Sequence, residues 1–303
     1  MKKTLLTFSL LFAFHFASGS LVAQQDFQGK AYYMSKTTMD LDEWGGREMS
    51  PEQKKRIQER MKSFLEKEYI LTFNKEESIY KEDEKLETPG TGRGWGSFAS
   101  SFTGGPKYKN VKSQELLQDQ EFFGKQFLIK DELKALEWKM GTETKKIGQY
   151  TCFKATATKT VDEFDWRSMR RRGRGRDAKD KKEGGKTNDS IKKDNDPMSE
   201  IEVPKTIEVV AWYTPQIPVN QGPDDYWGLP GLILEVNADK TTILCTKIVM
   251  NPEEKEQIEK PKKGDEVTKT EYNEIITKKM NEMREMYGGR RGGRSGGGRG
   301  RRH

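Results

Sequence analysis

The residue types that carry most enzymatic chemistry are scarce in this chain. Its two histidines are His15, in an apolar N-terminal run, and His303, the last residue. The interior therefore offers no imidazole for Ser-His-Asp or Cys-His catalysis, and none for a histidine zinc site. Two cysteines, Cys152 and Cys245, are too few for a four-thiolate zinc site. In an oxidising compartment they form a candidate disulfide, because both lie in strand-like runs, YTCFKATAT and TTILCTKIV, that could be neighbours. The alternative is two buried free thiols. Carboxylates are plentiful and a facing pair could cleave glycosides, but the sequence does not say which ones converge. Asp224-Asp225 could contribute to a divalent-cation site, although calcium takes six or more oxygens. The expectation is no catalytic residue, no metal site and no cofactor.

The other candidate region is AWYTPQIPVNQGPDDYWGLPGLILEV, with prolines at 215, 218, 223 and 230. Proline fixes φ and removes a donor, so this is a stiff, extended connection. Trp212, Tyr213, Pro218, Tyr226 and Trp227 form a candidate contact surface for a peptide, lipid or sugar; equally, the loop could plug one end of a sheet. In Leu229-Pro230-Gly231-Leu232, Pro230 and Gly231 read as the central pair of a type II turn, with φ positive at Gly231 and Gly228 adding freedom before it. A phosphate cradle would open a helix and supply a lysine. Here Leu232 to Val236 favours a strand, and the turn has no lysine.

These residues need a frame, and the frame reads as mainly β. Short runs such as YILTFNK, ESIYKE, EFFGKQFLI, ALEWKM and TIEVVAWYT, separated at short intervals by Gly and charged residues, suggest antiparallel strands rather than βαβ units. LILEVN and TTILCTKIV read as a hairpin joined around Ala238-Asp239-Lys240. A helix starts at Ser50-Pro51, with Ser50 as N-cap and Pro51 in the first turn. Its apolar stripe of Ile57, Met61, Phe64 and Leu65 suggests a helix docked on the sheet. A second helix spans about Thr268 to Tyr287, with Ile276, Met280, Met283 and Tyr287 at helical spacing. It either packs back on the domain or meets a partner. The expected architecture is a curved antiparallel sheet, half-barrel in form, with one or two helices packed on it (α+β).

The ends of the chain carry its charge. MKKTLLTFSLLFAFHFASGSLVAQQ has the basic start, short apolar run and small residues of a secretory signal, with cleavage expected after Ala23. No cysteine follows the run, so a lipoprotein anchor is not expected, and no later segment is apolar enough to span a membrane. Removing two N-terminal Lys and six Arg of the tail from the formal net charge of +7 leaves −1. The basic character thus belongs to the termini and not to the domain. The organisation read from composition is a signal at 1–23 and a β domain at 24–251 with a charged insertion at about 165–200. A polar linker and helix follow at 252–287, then an Arg/Gly-rich tail at 288–303. The tail could contact a polyanion. It has no aromatic residue after Tyr287 to stack on bases, so nucleic acid is disfavoured.

Three separated motifs carry a resemblance. WKMGTETKKIGQYTCFKATAT, AWYTPQIPVNQGP and GLPGLILEVN, in that order over Trp138–Asn237, resemble the GLPGLI family of exported Bacteroidetes proteins, and Gly228 to Ile233 matches the name-giving hexapeptide. The charged insertion and the tail depart from that pattern. The resemblance implies an exported, mostly β domain in the periplasm or on the periplasmic face of the outer membrane. Its partner would be an outer-membrane receptor or secretion component. The family has no established catalytic residues to carry over.

Overall fold

A computed structural model describes residues 27–39, 49–83, 104–161, 170–171, 201–202 and 205–288. The expected signal, most of the glycine-rich segment at 90–106, nearly all of the charged insertion and the Arg/Gly tail lie outside the described residues.

The fold is one open sheet of twelve strands with two helices. The strands are β1 (Gly29–Thr37), β2 (Glu66–Phe73), β3 (Glu77–Glu82), β4 (Lys107–Asn110), β5 (Glu115–Phe122), β6 (Lys125–Glu132), β7 (Lys139–Ile147), β8 (Tyr150–Thr160), β11 (Thr206–Thr214), β12 (Leu232–Ala238), β13 (Thr241–Met250) and β14 (Asp265–Val267). Two-residue strands β9 (Arg170–Arg171) and β10 (Ile201–Glu202) pair with each other alone. The order is β14-β6-β5-β4-β3-β2-β1-β13-β12-β11-β8-β7, antiparallel except where the edge strand β14 runs parallel to β6. EFFGKQFLI is not one strand but the β5–β6 hairpin, since Phe123 and Gly124 both take positive φ in the two-residue turn. ALEWKM is mostly connection, and β7 begins only at Lys139.

The connectivity requires curvature. β6 and β7 stand ten places apart in the sheet, about 48 Å if it were flat. Glu132 and Lys139 are joined by at most about 25 Å of chain. The sheet must curl until its two ends nearly face each other. Residues of β5 and β6 line the same cavity as residues of β8 and β11, as that curl demands. The inner face alternates with the outer along β1, where Ala31, Tyr33, Ser35 and Thr37 are buried. The main core gathers Ala31 and Tyr33 with Leu71, Phe73, Val209, Leu232, Ile233 and Val236.

The helices are α1 (Pro51–Leu65) and α2 (Lys269–Gly288). Both open with reciprocal caps. Ser50 accepts from the Gln53 N–H while the Gln53 side chain accepts from the Ser50 N–H; Thr268 and Glu271 do the same. α2 packs back on the domain, with Tyr272 and Ile276 buried against Phe122, Phe127 and Ile129. α1 differs from the docked helix its stripe suggests, because none of its residues is buried. It runs straight into β2, and only Phe64 and Leu65 reach the cavity wall. Among the described residues no helix is long and apolar enough to cross a membrane.

Candidate functional site

The concave face encloses a cavity of about 660 Å³, within the usual range of small-molecule sites. Its wall mixes tyrosine rings (Tyr69, Tyr80, Tyr226, Tyr272) and aliphatic groups with the hydroxyls and amides of Ser35, Thr37, Thr241, Gln118 and Gln120. The register explains the mixture. Tyr80, Lys107, Gln118 and Ile129 are successive cross-strand partners from β3 to β6, and Ser78, Lys109 and Leu116 form the next row. The inner face of β3–β5 is therefore a mainly polar stripe, carrying Lys107, Lys109, Gln118 and Ser78.

Loop 215–231 lies on that stripe. The Ser78 hydroxyl donates to the side-chain amide oxygen of Gln221 at 2.8 Å. Lys109, with no exposed surface, donates to the backbone carbonyls of Gly222 at 2.6 Å and Tyr226 at 3.1 Å. Between these carbonyls the chain turns, the Tyr226 N–H bonding to the Pro223 carbonyl, and Asp224 is held at φ 53°. A buried non-glycine residue in the left-handed region persists only when its surroundings hold it. Asp224 pairs with Lys107 of β4, and Asp225 accepts from Lys159 of β8 through both oxygens at 2.7 Å. Lys159 also sits 4.5 Å from the Tyr226 ring centroid. The Asp224-Asp225 turn is a strut between two walls of the curled sheet.

The electrostatics follow from this enclosure. Burial pushes the Lys109 ammonium down to about 7, against the opposing pull of Asp225 and Asp224. Burial also disfavours the charge on Lys159, but the adjacent carboxylates outweigh it and hold its pKa above the ordinary value. Asp225 is displaced downward, since Lys159 outweighs the burial that would raise it. The two aspartates are thus committed to lysines and not set out as cation ligands. Among the described residues no group of three or more His, Cys, Asp or Glu side chains is arranged to hold a metal.

The residues singled out from the sequence fall into place around this loop. Tyr213, Tyr226 and Trp227 are buried, Trp212 is half-buried and Pro218 is exposed. Three of the five side chains of the candidate contact surface are thus packed inside, and of these Tyr226 also lines the cavity. The Trp227 indole donates to the Lys134 carbonyl at 3.1 Å, and the Trp138 indole to the Trp227 carbonyl at 2.8 Å. The turn chemistry needs correction. Gly228, not Gly231, has the positive φ, at 91°. The Gly231 N–H bonds to the Leu229 carbonyl at 2.8 Å, a three-residue turn centred on Pro230, whose fixed φ suits it. Gly231 is required for a different reason: a Cβ there would stand 2.2 Å from the Thr214 carbonyl oxygen. The candidate disulfide is also corrected. Cys152 and Cys245 are buried free thiols, with β11 and β12 lying between their strands. Three strand spacings exceed the reach of a disulfide. Burial pushes the thiols up to about 11 and about 12 respectively. Lys107, Lys109 and Lys159 were missed as site residues; the adjacent acids Asp224-Asp225 were the one signal that cations had to come from elsewhere.

The three motifs meet in space. Trp138 binds the backbone at Trp227, while Lys145 pairs with Glu235 at 2.7 Å and lies 4.4 Å from the Trp212 ring centroid. Residues 138–235 match the family model described as "Protein of unknown function (Porph_ging)". The matched span, about a third of the chain, opens at Trp138 and closes at Glu235, and includes Gly228 to Ile233. No curated protein matches the sequence. Among solved structures the chain is similar to PNGF-II in its C2 and P21 crystal forms, at 14% and 15% identity and a TM-score of 0.44 in each. The similarity covers 83% of this chain and 33% of theirs, so the chain spans about a third of the length of these structures.

Proposed function

We propose that the protein is an exported, non-catalytic binding module of the cell envelope, whose curled sheet holds a small amphipathic ligand. The observation that carries this reading is the cavity of about 660 Å³, whose wall sets tyrosine rings and aliphatic groups beside hydroxyls, amides and charged side chains. Two of the carboxylates that line it, Asp224 and Asp225, are each paired with a lysine, which disfavours these two as a glycoside-cleaving pair that must change protonation during turnover. The N-terminal signal supports a periplasmic location, on the inner face of the outer membrane or free, with an outer-membrane protein as partner. The Arg/Gly-rich tail supports a polyanion contact outside the domain.

Titration with dansyl-undecanoic acid tests the reading. The wild-type chain is expected to bind one equivalent. Ser35→Phe, which projects a ring from β1 into the cavity, is expected to weaken binding at least tenfold. Equal binding by a normally folded Ser35→Phe protein, or none by the wild type, would overturn the cavity as the ligand site.

A further inference from the structure

Helix α1 carries charge in a pattern that its own sheet does not use. Ile57, Met61, Phe64 and Leu65 remain half-buried. At ~100° per residue they occupy an arc of roughly 100°. Lys55 and Lys62 flank this arc on one side, Arg56 and Arg60 on the other. Lys54, half-buried, is the one cation inside it. Both acids, Glu52 and Glu59, stand in the middle of the opposite face. Lys55, Arg56 and Arg60 are exposed and form no ion pair among the described residues, and Lys62 is 3.9 Å from Glu66.

We propose that α1 docks on an anionic phospholipid surface. Basic side chains bordering an apolar stripe lay their stems along it and lift their charges to one level. At a bilayer that level is the phosphate layer, while the stripe enters the acyl boundary. Acids placed on the far pole are kept away from the lipid charge. A helix held only by its own sheet gains nothing from this sorting. The position gives it a use: Phe64 and Leu65 line the cavity, and Leu65 passes into β2 with no intervening loop. A bilayer under α1 lies against the cavity wall. The inference concerns the helix and holds whatever ligand the cavity takes.

Co-sedimentation of the full chain with phosphatidylcholine vesicles, with and without phosphatidylglycerol, tests it, with hydrogen exchange followed over 51–65. Binding is expected only with phosphatidylglycerol, with slowed exchange over 51–65. Reversing Lys55, Arg56 and Arg60 to Glu should lower partitioning at least about a hundredfold, from about 1 kcal/mol per cation at the surface. Ile57→Ser with Met61→Ser should weaken it without changing net charge. Protection confined to residues 290–302 would assign binding to the Arg/Gly tail and overturn the proposal. So would binding that ignores phosphatidylglycerol, or a charge-reversed chain that binds as the wild type does. If a variant fails to fold, the wild-type exchange pattern still decides.

Discussion

Loop 215–231 buries polar and charged groups, whereas helix α1 leaves its apolar side chains half-covered. The loop has no regular secondary structure, yet Asp224, Gln221 and the Lys109 that serves it are at most a few per cent exposed. It can be buried because its Gln221 side chain, backbone carbonyls and carboxylates find partners on β3, β4 and β8. The helix satisfies its own backbone and so needs no such partners. It is free to stand at the edge of the fold with only its last turn on the cavity wall. Regularity and burial are thus separate properties here: the irregular segment is structural, and the regular one faces outward.

The largest test of this contrast removes a strut. Lys107→Ala removes the lysine that pairs with Asp224, whose side chain is 6% exposed. Losing one partner of a buried pair costs roughly 3 kcal/mol. Arg56→Ala on α1 should fall within about 0.5 kcal/mol of wild type, as surface changes do. Urea unfolding of the two variants measures both. Similar small losses would mean that the loop is not pinned by charge.

The second test uses pH. Lys109 titrates near 7 in the fold and near 10.4 when unfolded. Between those values the unfolded chain binds more protons, so the Lys109 contribution makes stability rise as pH climbs from about 7 toward 10. Below about 7 both states are protonated and the cost of burying the charge is present in full. Lys109→Met should remove this slope, read as the urea midpoint between pH 7 and 9. An unchanged slope would place the proton on Lys109 throughout and make the loop's anchor a permanent ammonium.

What was legible in the sequence depended on range. Ser50, Pro51 and, in α2, Ile276 and Met280 are local signals, and the fold uses them as read. A mainly β, antiparallel sheet followed from strand spacing. The loop was harder because its determinants are distant: Asp224 meets a lysine 117 residues away in sequence, and Lys109 reaches Gly222 across 113. The strand that supplies both lysines, KYKN, is four residues long with no apolar alternation, so nothing marked it as a sheet interior. Gly231 was assigned to a left-handed turn because Pro-Gly has that preference, while the constraint at that position is the nearness of Thr214, which no dipeptide rule contains. The apolar stripe of α1 showed that a helix forms but not what covers it.

The smallest effect is the sharpest for the comparison. Ile57→Ala deletes apolar atoms from the centre of the α1 stripe. Ile276→Ala deletes the same atoms from α2, where the side chain is 2% exposed against Phe127 and its neighbours. A buried Ile→Ala change costs about 2–5 kcal/mol because a cavity is added to the lost transfer energy. At Ile57 no packed cavity forms, so the loss should stay below about 1 kcal/mol in solution. If Ile57→Ala matched Ile276→Ala, α1 would be a docked helix like α2, and its charge sorting would have to be explained by the sheet. A small loss leaves the stripe's apolar surface available, and the free energy that α2 gains by docking on β5 and β6 is then left in α1 for a surface outside the chain.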